Sequence, residues 1–419
     1  MDLAGSSARA HRIDLDALLD RIATVSPVEA IDVMVDELAG MLRARSGCFL
    51  IADLSGRLIS RFGGTDWNAA RRLQEGARHA LAERLPGTDY ERVLRDQRVE
   101  VVAAPGGGSM VMVPVTDRGD AIGVLELELA DAPDEQLIAG IVAAARTLAY
   151  VAVACRRHTD LFEWAQRTLP FTLAAEIQRR LLPTAFTCET GQFTVSGWLE
   201  PANAVGGDTF DYAIDRDTLH VSITDAVGHD VNAATLATIL VASLRNGRRR
   251  GADLLDQAAT ANDALAAHST VGQFVTGQLV RVDRATATAT FVNAGHPFPL
   301  RLRDGRVEEI ELDIDMPFGL EPGRSFRPQP VPLLPGDRIL LITDGMYEND
   351  ERVDLNALIE RTAGLHSREV VHLLGDEVLR ASGGELRDDA TTVCIDWHGG
   401  PPGGRVDDLP SARSAASES

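Results

Sequence analysis

Cysteine is scarce in this 419-residue chain: Cys48, Cys155, Cys188 and Cys394 stand far apart with no CxxC pair. That pattern argues against a thiolate zinc site and against a disulfide framework, and it fits a reduced cytoplasm. Basic charge is also short. The 41 Lys and Arg against 62 Asp and Glu leave a net charge of −21, a field that repels a phosphate backbone, so nucleic acid is not an expected partner. The one basic run, RNGRRRG (245–251), reads as a solvated helix end in preference to a docking patch, since cations suit a helix C-terminus. The N-terminus, MDLAGSSARAHRIDLDALLD, lacks an apolar signal core. The segment nearest to a membrane span, LIAGIVAAARTLAYVAVAC (137–155), carries Arg146 at its centre. A central arginine is costly in lipid, so a buried or self-associating helix is expected and no membrane contact. No C-x5-R nucleophile signature and no internal repeat occur.

The length favours two domains. Residues 28–46 have helical periodicity, CFLIADLSGRLISRF alternates like a hairpin turning at Ser-Gly, and WNAARRLQEGARHALAERL is helical again. The stretch 99–130 reads as strand, glycine loop, strand, turn, strand, and a helix over 134–157 closes the unit. This order predicts an α+β sensory-type domain over 15–155. It resembles a GAF domain, with an unknown sensory ligand or partner. Residues 156–183 continue helically as a linker with a break near Pro170. Helices over 134–180 are expected to form a homodimer. From residue 192 the texture becomes β, with QFTVSGWLE, TLHVSITDA, FVTGQLVRVD, TATFVNAG, RILLITDG and TTVCIDW separated by helical pairs, so sheets covered by helices are expected over 184–398. The Gly-, Pro- and Ser-rich 399–419 predicts a disordered tail.

The chemistry-bearing residues are aspartates. Asp208 follows a glycine pair, Asp225 ends HVSIT, Asp344 ends RILLIT, and Asp388 and Asp389 precede ATTVCI. Strand ends hold side chains rigidly, and hard divalent cations take oxygen ligands, so carboxylates without clustered Cys or His point to Mg²⁺ or Mn²⁺. Two such ions could clamp a phosphoryl group. Taken singly, each aspartate is equally a strand-end turn former, and periodicity leaves the two readings open.

The motifs AEIQRRLLP (175–183), VGGDTFDY (205–212), DAVGHD (225–230), NAGHP (293–297), ITDGMYE (342–348) and RDDATTV (387–393) occur in order. Together, over about 172–398, they resemble the SpoIIE/RsbU-like branch of the metal-dependent type 2C serine/threonine phosphatases. The resemblance implies a β-sandwich flanked by helices, two Mn²⁺ or Mg²⁺ ions, and hydrolysis of phosphoserine or phosphothreonine on an anti-sigma-factor antagonist of the STAS type. It implies that Asp225 bridges the metals and that the Ala226 carbonyl, Asp344 and Asp388 are further ligands. It gives Asp208 the orienting of the attacking water, and makes Asp211 and Asp389 supporting residues beside the ligands. His229 and His296 match family positions and are expected to be turn histidines, while Asp230 stands where the family has glycine. The helix AEIQRRLLP is a candidate regulatory switch, with Glu176, Gln178 and Leu182 as its contacts. A pseudophosphatase that binds a phosphoprotein without turnover, and a phosphatase acting on a small metabolite, are the alternatives.

Overall fold

A computed structural model describes residues 13–53, 56–65, 82–167, 172–202, 207–347 and 353–401. The chain divides into two units, Met1–Pro170 and Phe171–Ser419.

The first unit runs α1 (Leu15–Ile22), α2 (Ala30–Leu42), β1 (Ser46–Ala52), β2 (Leu58–Gly64), β3 (Ala82–Arg84), α3 (Asp89–Asp96), β4 (Glu100–Ala103), β5 (Ser109–Asp117), β6 (Asp120–Leu129), α4 (Glu135–Cys155) and α5 (Leu161–Gln166). Its six strands form one antiparallel sheet in the order β3-β2-β1-β6-β5-β4. One face buries Phe49, Val111, Val113 and Leu125 against Leu18, Met34, Leu38, Ile141, Ala145 and Leu148 of the helices. The opposite face packs Leu50, Ile59, Met112 and Val124 against Val93 and Leu94 of α3. Helix α4 is long and apolar enough to cross a membrane, with a mean hydropathy of 1.9. Here it is a core helix, with Ile141, Ala144, Ala145, Leu148, Ala149 and Ala152 turned to the sheet and Arg146 to solvent.

Three local readings change. The helix expected to reach residue 46 stops at Leu42, where Arg43 turns left-handed (φ 52°) and Ala44 donates back to the Ala39 carbonyl at 2.9 Å. That termination frees Ser46 to begin β1. Most of the helix read from residue 67 lies outside the described residues, but its end, Ala82–Arg84, is a strand, because the edge of β2 offers it backbone partners. Helices α1 and α3, eight residues each, are too short for periodicity to find. The turn residue Ser55, Pro170 and nearly all of the expected tail also lie outside the described residues. Within the linker, α5 packs on the first unit through Phe162, whose ring stacks on Phe62 at 4.4 Å.

The second unit runs α6 (Leu173–Leu181), β7 (Thr187–Glu189), β8 (Phe193–Glu200), β9 (Thr209–Ile214), β10 (Thr218–Ala226), α7 (Asp230–Arg249), α8 (Leu254–Ala266), β11 (Val275–Asp283), β12 (Thr288–Ala294), β13 (Leu300–Arg303), β14 (Arg306–Glu309), β15 (Gln329–Pro332), β16 (Arg338–Ile342), a 3-10 turn (Asp344–Tyr347), α9 (Leu355–Arg361), α10 (Ser367–Ala381) and β17 (Ala390–Trp397). A five-stranded sheet, β15-β12-β11-β10-β9, faces a six-stranded one, β14-β13-β16-β17-β8-β7. Between them lie Phe193, Phe210, Leu219, Val221, Ile223, Phe291, Ile339, Leu341, Val393 and Ile395. Helices α7 and α8 cover the outside of the first sheet through Leu236, Leu240, Leu244, Ala258 and Leu265. Helices α9 and α10 cover the second through Leu358, Val370, Leu374 and Val378. Burial on both faces explains the near-continuous apolar run of β16. Truncating a central residue such as Phe291 to alanine would cost about 3–5 kcal/mol.

Candidate active site

Strand alternation decides where Asp225 points. Leu219, Val221 and Ile223 of β10 face the core between the sheets, and Asp225 continues that register one step further. Its neighbour Ala226 faces α7 and α8. The mouth of the sandwich thus receives Asp225 from one sheet. The other sheet supplies Asp344, just past β16, and Asp388 and Asp389, just before β17.

Two glycines let the backbones close on this mouth. A Cβ at Gly207 would lie 2.3 Å from the Ala226 carbonyl oxygen, and one at Gly345 would lie 2.1 Å from the Asp389 carbonyl oxygen. No side chain fits either position without moving backbone. The wider loop 203–206 falls outside the described residues.

Asp208 is fully enclosed. Its Oδ2 accepts from Thr343 Oγ1 at 2.8 Å and Thr391 Oγ1 at 2.5 Å. Asp389 accepts the Ala202 N–H on Oδ1 at 2.8 Å and Gln178 Nε2 on Oδ2 at 2.5 Å. The same Gln178 nitrogen donates to the Asp208 carbonyl at 2.9 Å. Asp388 accepts the Asp389 N–H at 2.8 Å and is itself solvent-exposed, as is Asp344.

Electrostatically these carboxylates form one set. Burial, then the charges of Asp344, Asp388 and Asp389, push Asp225 up to about 7. Burial, then Asp225 and Asp389, hold Asp208 well above the carboxylate range, against the two threonine hydroxyls. Burial and then Asp344 raise Asp388. A set that must protonate in isolation is one that a cation would relieve. Among the described residues no three His, Cys, Asp or Glu are drawn together closely enough to grip a metal ion as placed. The all-oxygen donor set of these side chains fits Mg²⁺ or Mn²⁺.

Asp211 requires correction. It was expected beside the ligands, but it falls on the opposite face of its strand from Phe210. There it takes Arg245 at 2.9 Å and Arg248 at 2.6 Å. Arg245 also donates to the Leu181 carbonyl at the end of α6. The basic run therefore holds α6, α7 and β9 together, and is not merely a solvated helix end. Of the three switch residues, Gln178 is buried and reaches the site, Leu182 joins the core between the sheets, and Glu176 faces outward with Arg180 at 3.1 Å. His296 is buried with its Nδ1 3.0 Å from Thr276 Oγ1, and burial lowers it to about 3, so it stays neutral. Asn293 closes its turn by accepting the His296 N–H at 2.8 Å and donating to its carbonyl at 3.0 Å. His229 is exposed and pairs with Asp230 at 2.8 Å. Asp230 has φ 62°, the left-handed conformation that a glycine adopts freely. Sequence reasoning missed Thr343 and Thr391. Their signal was faint, a hydroxyl residue next to the aspartate in ITDG and another two positions past it in DDATT.

The family model for stage II sporulation protein E (SpoIIE) matches residues 215–398, the span that contains Asp225, Asp344 and Asp388. The C-terminal half of the chain is a SpoIIE/RsbU-type PP2C phosphatase domain. This phosphatase domain is similar to the phosphoserine phosphatase RsbU of Bacillus subtilis, 22% identical over 231 residues, which are 53% of this chain and 68% of RsbU. It is similar also to stage II sporulation protein E of the same organism, 24% identical over 179 residues, 42% of this chain and 22% of that one. Among solved structures, the PP2C domain with a fragment of the regulatory domain of B. subtilis SpoIIE covers 79% of this chain and 89% of its own, at 18% identity and TM-score 0.44. The RsbU and RsbW domains of a Mycobacterium tuberculosis protein cover 51% of this chain and 63% of their own, at 24% identity and TM-score 0.43.

Proposed function

We propose that the chain is a metal-dependent protein serine/threonine phosphatase under the control of its N-terminal unit. The observation that carries this is the convergence of Asp208, Asp225, Asp344, Asp388 and Asp389, from four separate segments, on one mouth of the sandwich, where Asp208 and Asp225 are raised by burial and by the neighbouring carboxylates. In this reading Asp225, Asp344, Asp388 and the Ala226 carbonyl hold two Mn²⁺ or Mg²⁺ ions. When bound, such ions supply positive charge to phosphoryl oxygens and make water a stronger nucleophile at neutral pH. Asp208, fixed by Thr343 and Thr391, orients the attacking water. Asp389 ties the β17 end to Gln178 and so carries the packing of α6 into the site, which makes Gln178 the contact through which α6 regulates turnover. The kinship with a phosphoserine phosphatase supports a phosphoserine protein as substrate, of the anti-sigma-factor-antagonist (STAS) type, in the cytoplasm. The six-stranded sheet with helices on both faces supports a GAF-like sensor, and the helices of 134–180 would form a homodimer.

The test is hydrolysis of p-nitrophenyl phosphate by the full chain with Mn²⁺, with EDTA and as Asp225→Asn, alongside thermal melting with and without Mn²⁺. Mn²⁺-dependent turnover that falls at least ~10³-fold in the variant, together with a Mn²⁺-induced rise in Tm that the variant lacks, supports the reading. Mn²⁺ stabilisation without turnover would favour the phosphoprotein-binding alternative, to which the strained Asp230 beside the ligands lends some weight.

A further inference from the structure

The end of the five-stranded sheet that carries Asp225 also carries an apolar rim. Asp225 and Ala226 pair with Thr276 and Val275 of β11. Val227 donates to the Phe274 carbonyl at 3.1 Å. Val275 and Phe318 exchange backbone hydrogen bonds at 3.0 and 2.9 Å, and Asp315 donates to the Asn293 carbonyl at 2.8 Å. These links bring the loop after β10, the loop before β11 and the segment 310–323 together around the mouth. From them Val227, Val231, Ile314, Met316 and Leu320 stand 37–56% exposed, and Val271 is wholly exposed.

The rim is built to stay out. Within 310–323 Leu312 and Phe318 are buried, while Ile314, Met316 and Leu320 face solvent. The segment is anchored on α8, where Asn262 Oδ1 accepts the Gly319 N–H at 2.9 Å, Asn262 Nδ2 donates to the Glu321 carbonyl at 2.9 Å, and Asp263 Oδ1 accepts the Gly323 N–H at 2.7 Å. Large apolar side chains clustered and held in water mark a contact surface. Charge specifies the partner further. Exposed Asp230, Glu311, Asp313 and Glu321 lie on the same segments; Arg324 pairs with Glu321 at 2.9 Å and Arg327 with Asp313 at 3.0 Å, and Asp230 and Glu311 keep the balance acidic.

We infer that this rim docks the protein substrate: a surface that carries aliphatic side chains and Lys or Arg beside its phosphoserine. The inference rests on the phosphatase reading and adds the determinant of substrate choice. Apolar contacts would supply affinity, and the acidic fringe would reject acidic phosphoproteins by like charge.

Two fluorescent phosphoserine peptides test it, one flanked by Leu and Arg and one by Ser and Asp. Full-length wild type is compared with the charge-neutral Val271→Ser/Met316→Ser/Leu320→Ser, reading anisotropy in EDTA and kcat/KM with Mn²⁺, with p-nitrophenyl phosphate as a control. Wild type should bind and turn over the Leu/Arg peptide at least ~10-fold better than the acidic one. The variant should lose that preference through KM and keep its rate on p-nitrophenyl phosphate. A variant that retains the wild-type preference, or a wild type indifferent to the flanks, overturns the docking surface while leaving the phosphatase intact. Absence of p-nitrophenyl phosphate turnover in wild type overturns the phosphatase reading itself, and the anisotropy arm still reports on the surface. Single substitutions at Val271 provide the same comparison should the triple variant fail to fold.

Discussion

Gln178 makes the sharpest quantitative test of the site. It is 4% exposed, and its amide nitrogen donates at 2.9 Å to the Asp208 carbonyl and at 2.5 Å to Asp389 Oδ2. Gln178→Ala removes both bonds, one of them to a buried carboxylate. A hydrogen bond to a charged group is worth about 1.5–3 kcal/mol and one to a neutral carbonyl about 0.5–1.5, so the loss should be roughly 2–4 kcal/mol. In a unit of this size that is a fall in Tm of about 4–16 °C. Gln178→Glu should be worse, because it sets a second carboxylate against Asp389 in a buried place. The assay pairs thermal melting of the full chain with p-nitrophenyl phosphate turnover at saturating Mn²⁺. If α6 acts through this contact, turnover at a temperature where both proteins are folded should change several-fold in Gln178→Ala. A normal Tm with unchanged turnover would refute the idea that these bonds tie α6 to the site. A lowered Tm with unchanged turnover would leave Gln178 a structural brace and remove the switch.

Asp32, buried in α2 and accepting the Gly64 N–H at 3.0 Å, is raised from 3.8 to about 6, mainly by burial. A folded value above the unfolded one means stability present below pH 3.8 and lost as pH rises through 6. Asp32→Asn should therefore gain Tm over wild type progressively from about pH 4 to about pH 6 and level off above it; a pH-independent difference would contradict this. Asp230→Gly should relieve the left-handed φ of 62° and stabilise by up to about 1 kcal/mol, read by denaturant midpoint; a loss would show that Asp230 does more than occupy the turn. Asp211→Ala strips Arg245 and Arg248 of their shared partner and should cost roughly 3 kcal/mol in melting experiments, with Mn²⁺-dependent turnover kept. Lost turnover in a fully stable protein would return Asp211 to the site.

By itself the sequence marked the strands that lead to Asp225 and Asp344 and the one that follows Asp389. Apolar runs that stop at a carboxylate are local patterns, and a strand buried on both faces writes itself as a continuous run. It also marked glycines at 207 and 345 without saying what approached them. The tertiary structure alone decided which backbones they admit, the Ala226 and Asp389 carbonyls. It decided that Thr343 and Thr391 both hold Asp208, residues 135 and 183 positions away. It turned Asp211 away from the mouth, since a strand's alternation fixes a face but only the packed helix with Arg245 and Arg248 shows which face that is. And it carried Gln178 to Asp389 across 211 positions. Periodicity reports which side of an element is buried. It carries no information on what is buried against it, because that depends on how distant segments meet in space.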